Sequence, residues 1–121
     1  SENKTVKPAW LGIRGVALTP STATALGLSA SNGVYVVEVL FGSPAEKAGL
    51  KAGGLDADGT PAMGGDVITQ ADGRSVRSVE ELSAYFNNLH PGDSVSLTVL
   101  RAGQTIQANA VLGEWPENLG G

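Results

Sequence analysis

The residues with the clearest chemical use lie near the start of the chain, at Trp10-Leu11-Gly12-Ile13. A glycine between large apolar residues lets the backbone turn tightly and leave amides pointing outward. The successive N–H groups of Leu11, Gly12 and Ile13 suit a small anion nest. Arg14-Gly15-Val16 then continues as a strand. If that strand is the open margin of a sheet, an extended peptide can pair with it while its terminal carboxylate sits in the nest. Leu11 and Ile13 equally suit the core side of an ordinary strand, and the residues alone leave both readings open. Lys7 stands close before the nest. It would either add a long-range attraction for a carboxylate or be a plain solvated lysine.

Other chemistries find little support. Cysteine is absent, which excludes disulfides, thiolate metal sites and a cysteine nucleophile. The single histidine, His90, precedes Pro91 at an expected helix end, where a cation suits the helix dipole. No serine stands in a Gly-x-Ser-x-Gly elbow, so no catalytic triad is expected in this chain. Asp56 and Asp58 resemble the start of a loop of oxygen ligands, but no glutamate closes it at the required spacing. A turn-rich surface loop fits them better, and neither a metal nor another cofactor is expected. The glycines between residues 53 and 65 lack the Lys-Ser/Thr of a phosphate loop. A net charge of −4 without a Lys/Arg cluster argues against nucleic acid. No apolar run approaches a membrane span, and residues 1–4 do not have the form of a signal peptide.

The elements that must position the nest follow from punctuation and periodicity. A length of 121 residues suits one domain, and an aromatic fraction of 5% makes its core one of Val, Leu, Ile and Ala. Residues 1–8 read as a flexible lead, 9–113 as the folded domain with an extended loop at 55–64, and 114–121 as a polar tail. The first strand region spans residues 10–18. Thr19-Pro20 starts a short helix that Gly27 stops, with Leu26 and Leu28 toward the core. Ser31-Asn32-Gly33 is a turn before a strand at 34–40. Ser43, Pro44 and Glu46 have capping-box spacing, and Gly49 ends a helix barely longer than one turn. Such a helix must pack on a sheet through Ala45, Ala48 and Leu50.

Residues 66–71 read as a strand, Asp72-Gly73 as a tight turn and 74–76 as the return. Ser78 caps the longest helix, 79–89, with Glu80 and Glu81 in its first turn. Leu82 and Leu89 form its core-facing line. Val79, Ser83 and Phe86 form a second line, offset toward a groove. Residues 94–100 alternate strictly, with Val95, Leu97 and Val99 inward, and 104–112 pair back as the last strand.

Four blocks thus occur in one order: Trp10-Leu11-Gly12-Ile13, Gly42-Ser43-Pro44-Ala45-Glu46-Lys47-Ala48-Gly49-Leu50, Gly65-Asp66-Val67-Ile68 with Asp72-Gly73, and the Ser78-capped helix before a hairpin. Together they resemble a PDZ domain, and more closely that of the HtrA (Deg) family of trypsin-like serine proteases. The resemblance covers residues 9–112. It implies a mainly β, α+β fold: a partly open β-barrel or sandwich of five to six strands, capped by two helices, with an extra short N-terminal helix. It implies binding of C-terminal or extended apolar peptides by strand addition. Leu11, Gly12 and Ile13 would supply the carboxylate-binding amides, and Ile13, Arg14 and Gly15 would pair with the ligand strand. Leu11, Ile13 and Phe86 would line the pocket for the last side chain, and Val79 and Ser83 would edge the groove. Many PDZ domains that read Ser or Thr near the ligand end have a histidine where Val79 stands, so an apolar preference is implied here.

The resemblance further implies a recognition or regulatory module of a bacterial protease that is periplasmic, extracytoplasmic or membrane-anchored. Its partners would be peptides of other proteins and the parent protease domain, with oligomers formed through the parent. Trp10 departs from the tyrosine more common at that place, and the 55–64 loop is longer than the usual link. The competing expectations are a structural or oligomerisation spacer whose groove is filled by the tail or the long loop, and a PDZ domain of another protease class or secretion component.

Overall fold

The computed structural model describes residues 9–28, 32–55, 57, 64–101 and 103–113. Within them, the capping residues start the helices they predict. Helix α1 (Pro20–Leu26) begins at Thr19, whose Oγ1 accepts the Thr22 N–H at 3.1 Å, and ends at Gly27 with φ 69°. Helix α2 (Pro44–Ala48) begins at Ser43, whose Oγ accepts the Glu46 N–H at 3.2 Å. Helix α3 (Val79–Phe86) begins at Ser78, whose Oγ accepts the Glu81 N–H at 3.1 Å. In α2 and α3 the glutamate reaches one residue further back than a capping box requires. Glu46 Oε1 accepts the Gly42 N–H at 2.7 Å, and Glu81 Oε1 accepts the Arg77 N–H at 2.8 Å. Helix α3 also ends three residues before the predicted boundary. Asn88 and Leu89 donate to the carbonyls three residues back, a tighter turn than an α-helix makes. Pro91, just beyond, disfavours helical backbone in the residue before it.

The strands are β1 (Ile13–Ala17), β2 (Val34–Val39), β3 (Val67–Ala71), β4 (Arg74–Ser75), β5 (Ser94–Arg101) and β6 (Gln104–Val111). They form one antiparallel sheet in the order β1-β2-β3-β5-β6, with β4 paired to β3. The first strand is shorter than the predicted 10–18 because Gly12, at φ 90°, interrupts the extended backbone. Trp10 instead exchanges two hydrogen bonds with Gly113, of 2.8 and 3.0 Å. This bridge draws the ends of the described chain together without closing the sheet. Among the described residues β1 has a strand on one side only.

Alternation along β2 divides the interior. Val34 and Val36 face the main core with Ile68, Val95, Leu97, Val99 and Leu82. Tyr35, between them, faces a smaller cluster with Val67, Leu18, and Ala23 and Leu26 of α1. The predicted inward set Val95, Leu97 and Val99 is fully buried. Among the described residues one charged side chain is buried as well: Asp66, directly before β3. Its carboxylate accepts Nε and Nη2 of Arg101 at 2.8 and 2.7 Å and the Lys51 N–H at 2.9 Å.

Candidate functional site, an apolar groove beside an open strand edge

The segment before β1 is held by its carbonyls. Leu11 C=O accepts the Ala45 N–H of α2's first turn, and Gly12 C=O accepts the Leu40 N–H, each at 2.9 Å. The first bond also satisfies one of the amides that a helix start leaves without a partner. Among the described residues the N–H groups of Leu11 and Gly12 have no acceptor. Gly12 is required twice over. Its φ of 90° is left-handed, and a Cβ there would lie 2.2 Å from Ser43 Cβ.

The pairing of β1 with β2 shows which backbone groups face outward. In an antiparallel ladder, residues of widely spaced pairs turn N–H and C=O away from each other. The Leu40-to-Gly12 bond makes Ile13↔Val39 such a pair, and the Leu18-to-Gly33 bond makes Ala17↔Val34 another. Alternation back from Ala17 puts Gly15↔Val36 in the same class. Ile13 and Gly15 therefore aim their backbone groups at the unpaired side. Arg14 turns its own toward Glu38, and its exposed guanidinium stands 3.3 Å from the Glu38 carboxylate. Between Arg14 and Gly15 the register slips by one residue of β2, a bulge that adds twist at the sheet margin.

Helix α3 forms the opposite wall. A Cβ on Gly15 would lie 3.8 Å from Val79 Cγ2 and 2.6 Å from Val34 Cγ1, so the missing side chain opens the space between strand and helix. That space is a groove of about 120 Å³. Its apolar lining comes from Leu11, Ile13, Val34, Val79, Leu82 and Phe86, and Ser83 and Asn87 form a polar rim on the helix. No titratable side chain lines it among the described residues. An anion held there would meet amide dipoles and, among the described residues, no cation.

Seven of the residues singled out in the sequence converge on this groove: Leu11, Gly12, Ile13, Gly15, Val79, Ser83 and Phe86. Arg14 does not line it, and Lys7 lies outside the described residues, as do Asp56, Asp58 and the 114–121 tail. The two predicted lines of α3 overlap. Phe86 and Leu82 are both buried in the main core and both line the groove, while Leu89 only packs against the core's rim. Sequence reasoning missed Ala9, Trp10, Val34 and Asn87. Asn87 was within reach, because it follows Ser83 by four residues, one turn of the same face. Val34 was not, since only the sheet order brings it beneath β1.

A sheet left open at β1, a helix laid along that edge and a glycine-shaped loop at one end are arrangements that known proteins share. The sequence matches the PDZ domain family over residues 9–112. The chain is a PDZ domain. It is 35% identical, over 94% of its length, to a probable periplasmic serine endoprotease, DegP-like, of Rhizobium meliloti. It is 34% identical, over 88% of its length, to the periplasmic pH-dependent serine endoprotease DegQ of Escherichia coli. It spans about one fifth of those relatives, 20% and 21% of their lengths. Among solved structures it is similar to the HtrA-type protease AlgW with decapeptide. That match has a TM-score of 0.74 at 31% identity and covers 91% of this chain and 30% of that one. The resemblance to the HtrA group carried by the four sequence blocks therefore holds. Within those relatives the PDZ domain corresponds to a non-catalytic part of a serine endoprotease.

Proposed function

We propose that this PDZ domain binds the free C-terminal ends of apolar peptides by strand addition to β1, as the recognition module of an HtrA-like serine protease. The observation that carries the reading is the open edge of β1, where Ile13 and Gly15 present N–H and C=O groups beside an apolar groove. A peptide strand would pair with these two residues, place its last side chain against Leu11, Ile13 and Phe86, and set its carboxylate on the Leu11, Gly12 and Ile13 amides. Arg14 would contribute through the register of β1 rather than by contact, and Lys7 through long-range attraction. Val79 faces the groove next to Gly15, which favours an apolar side chain further back in the peptide. The presence of a decapeptide with the related AlgW supports peptides as the ligand class. The periplasmic relatives support an extracytoplasmic setting, with the parent's protease domain as the covalent neighbour.

Fluorescence polarisation with labelled pentapeptides ending in Val, Leu or Phe tests the reading. Each peptide is compared as the free acid and as the C-terminal amide. Replacing the carboxylate removes charge-assisted hydrogen bonds, so the acid is expected to bind about tenfold or more tightly. Equal binding of the two forms would remove the carboxylate nest, and no binding of either would leave the domain as a spacer.

A further inference from the structure

We infer that Asn87 is a fourth donor at the carboxylate end of the groove, an inference that rests on the peptide-binding reading above. Asn87 caps α3 with helical backbone (φ −63°, ψ −18°), and its N–H donates to Ser83 C=O at 2.9 Å. Its backbone is thus fixed by the helix while its side chain stands on the groove rim. Its level along the groove follows from two rises. Val79 stands opposite Gly15, at 3.8 Å from the position of a Cβ there. The eight residues from Val79 to Asn87 rise about 12 Å in a helix. From Gly15 back to Ile13 the extended chain covers about 7 Å, and the Leu11-Gly12 turn lies beyond it. No residue of β1 beyond Gly15 lines the groove, so the helix runs toward Leu11 and sets Asn87 level with Leu11 and Gly12.

The side chain at that level is uncommitted. The neighbouring Asn88 spends its Nδ2 on the Ala84 carbonyl at 3.3 Å, whereas the Asn87 amide has no partner among the described residues. The Leu11, Gly12 and Ile13 amides supply three donors, and a carboxylate has acceptor sites for about four. With no cation lining the groove among the described residues, the Asn87 Nδ2 is a side-chain donor on the rim at that end. A neutral donor suits the place, since it orients the carboxylate without the cost of removing a second charge from water.

The test compares the wild-type chain with Asn87→Ala and Asn87→Asp, using the pentapeptides ending in Val, Leu or Phe as acids and amides. Asn87 is exposed, and unchanged thermal melting shows that each variant folds. Asn87→Ala is expected to weaken the acids roughly three- to tenfold and to leave the amides within about twofold. Asn87→Asp places a like charge at the same point and should weaken the acids further, with the extra loss shrinking as salt is raised. Equal losses for acid and amide would mean a structural role and overturn the inference, as would unchanged affinity for the acids in both variants. A wild-type chain that binds acid and amide equally would instead overturn the carboxylate reading itself.

Discussion

At Gly12, backbone conformation and steric room point to the same residue. The left-handed φ removes the extended backbone that would have carried β1 back to Trp10. The contact with Ser43 ties that turn to the N-cap of α2, where Ser43 is wholly buried. Gly12→Ala adds a Cβ both to a strained φ and into Ser43, and we expect a destabilisation of about 2–4 kcal/mol. Urea denaturation would measure it, and a loss below about 1 kcal/mol would show that Ser43 and α2 shift freely. The nest amides should lose their orientation in the same variant, so acid-peptide binding should fall with stability.

Elements are tied together by side chains that reach across turns. Asp72 and Gly73, with φ 51° and 82°, form the predicted tight turn between β3 and β4. The Asp72 carboxylate accepts the Ser96 N–H of β5 at 2.7 Å and the Tyr85 hydroxyl of α3. Arg74 lies 5.5 Å over the Tyr85 ring. The groove wall is thereby linked to a hairpin on the far side of the helix. The hydrogen bond to Asp72, with lesser contributions from desolvation and the Asp72 charge, raises the Tyr85 pKa above its ordinary 10.0. The protonated phenol holds the contact. Its contribution is therefore complete below the unfolded pKa and is lost as pH rises through the higher folded value. We expect the Tyr85 ring carbon shift to titrate above 10.0 in the wild type and to fall back toward it in Asp72→Asn. Identical titration in the two proteins would break the proposed link.

Over the whole molecule, one buried carboxylate joins parts of the chain that no local rule connects. Asp66 precedes β3, Arg101 ends β5, and Arg101 Nη2 also donates to the carbonyl of Gly49, the C-cap of α2, at 2.9 Å. The Asp66 hydrogen bond raises the Arg101 pKa above its already high ordinary value, which favours the charged guanidinium beside the carboxylate. Arg101→Ala would leave Asp66 buried without its counter-charge, and we expect a loss of about 3 kcal/mol, read from denaturant unfolding. Arg101→Lys should recover only part of it, because an ammonium cannot reproduce the two-pronged contact. A neutral result for Arg101→Ala would mean that water reaches Asp66. Since α2 also supplies the Ala45 N–H to Leu11, loosening this junction should weaken peptide binding at a distance.

The chain's own order of residues determined what depends on neighbours a few positions apart. Thr19, Ser43 and Ser78 start helices because each hydroxyl reaches an amide three residues on, and Asp72-Gly73 turns because its own φ values allow it. The alternation of residues 94–100 and the PDZ resemblance rest on the same short-range patterns. Tertiary structure alone decided that β1 is the sheet's margin, that Ile13 and Gly15 rather than Arg14 aim their backbone N–H and C=O at its open side, and that Val34 lies under the groove. It alone joined Asp66 to Arg101, 35 residues apart. Strand order and register are set by which surfaces are buried together once the chain has folded. A pairing between distant segments leaves no periodic mark in either one.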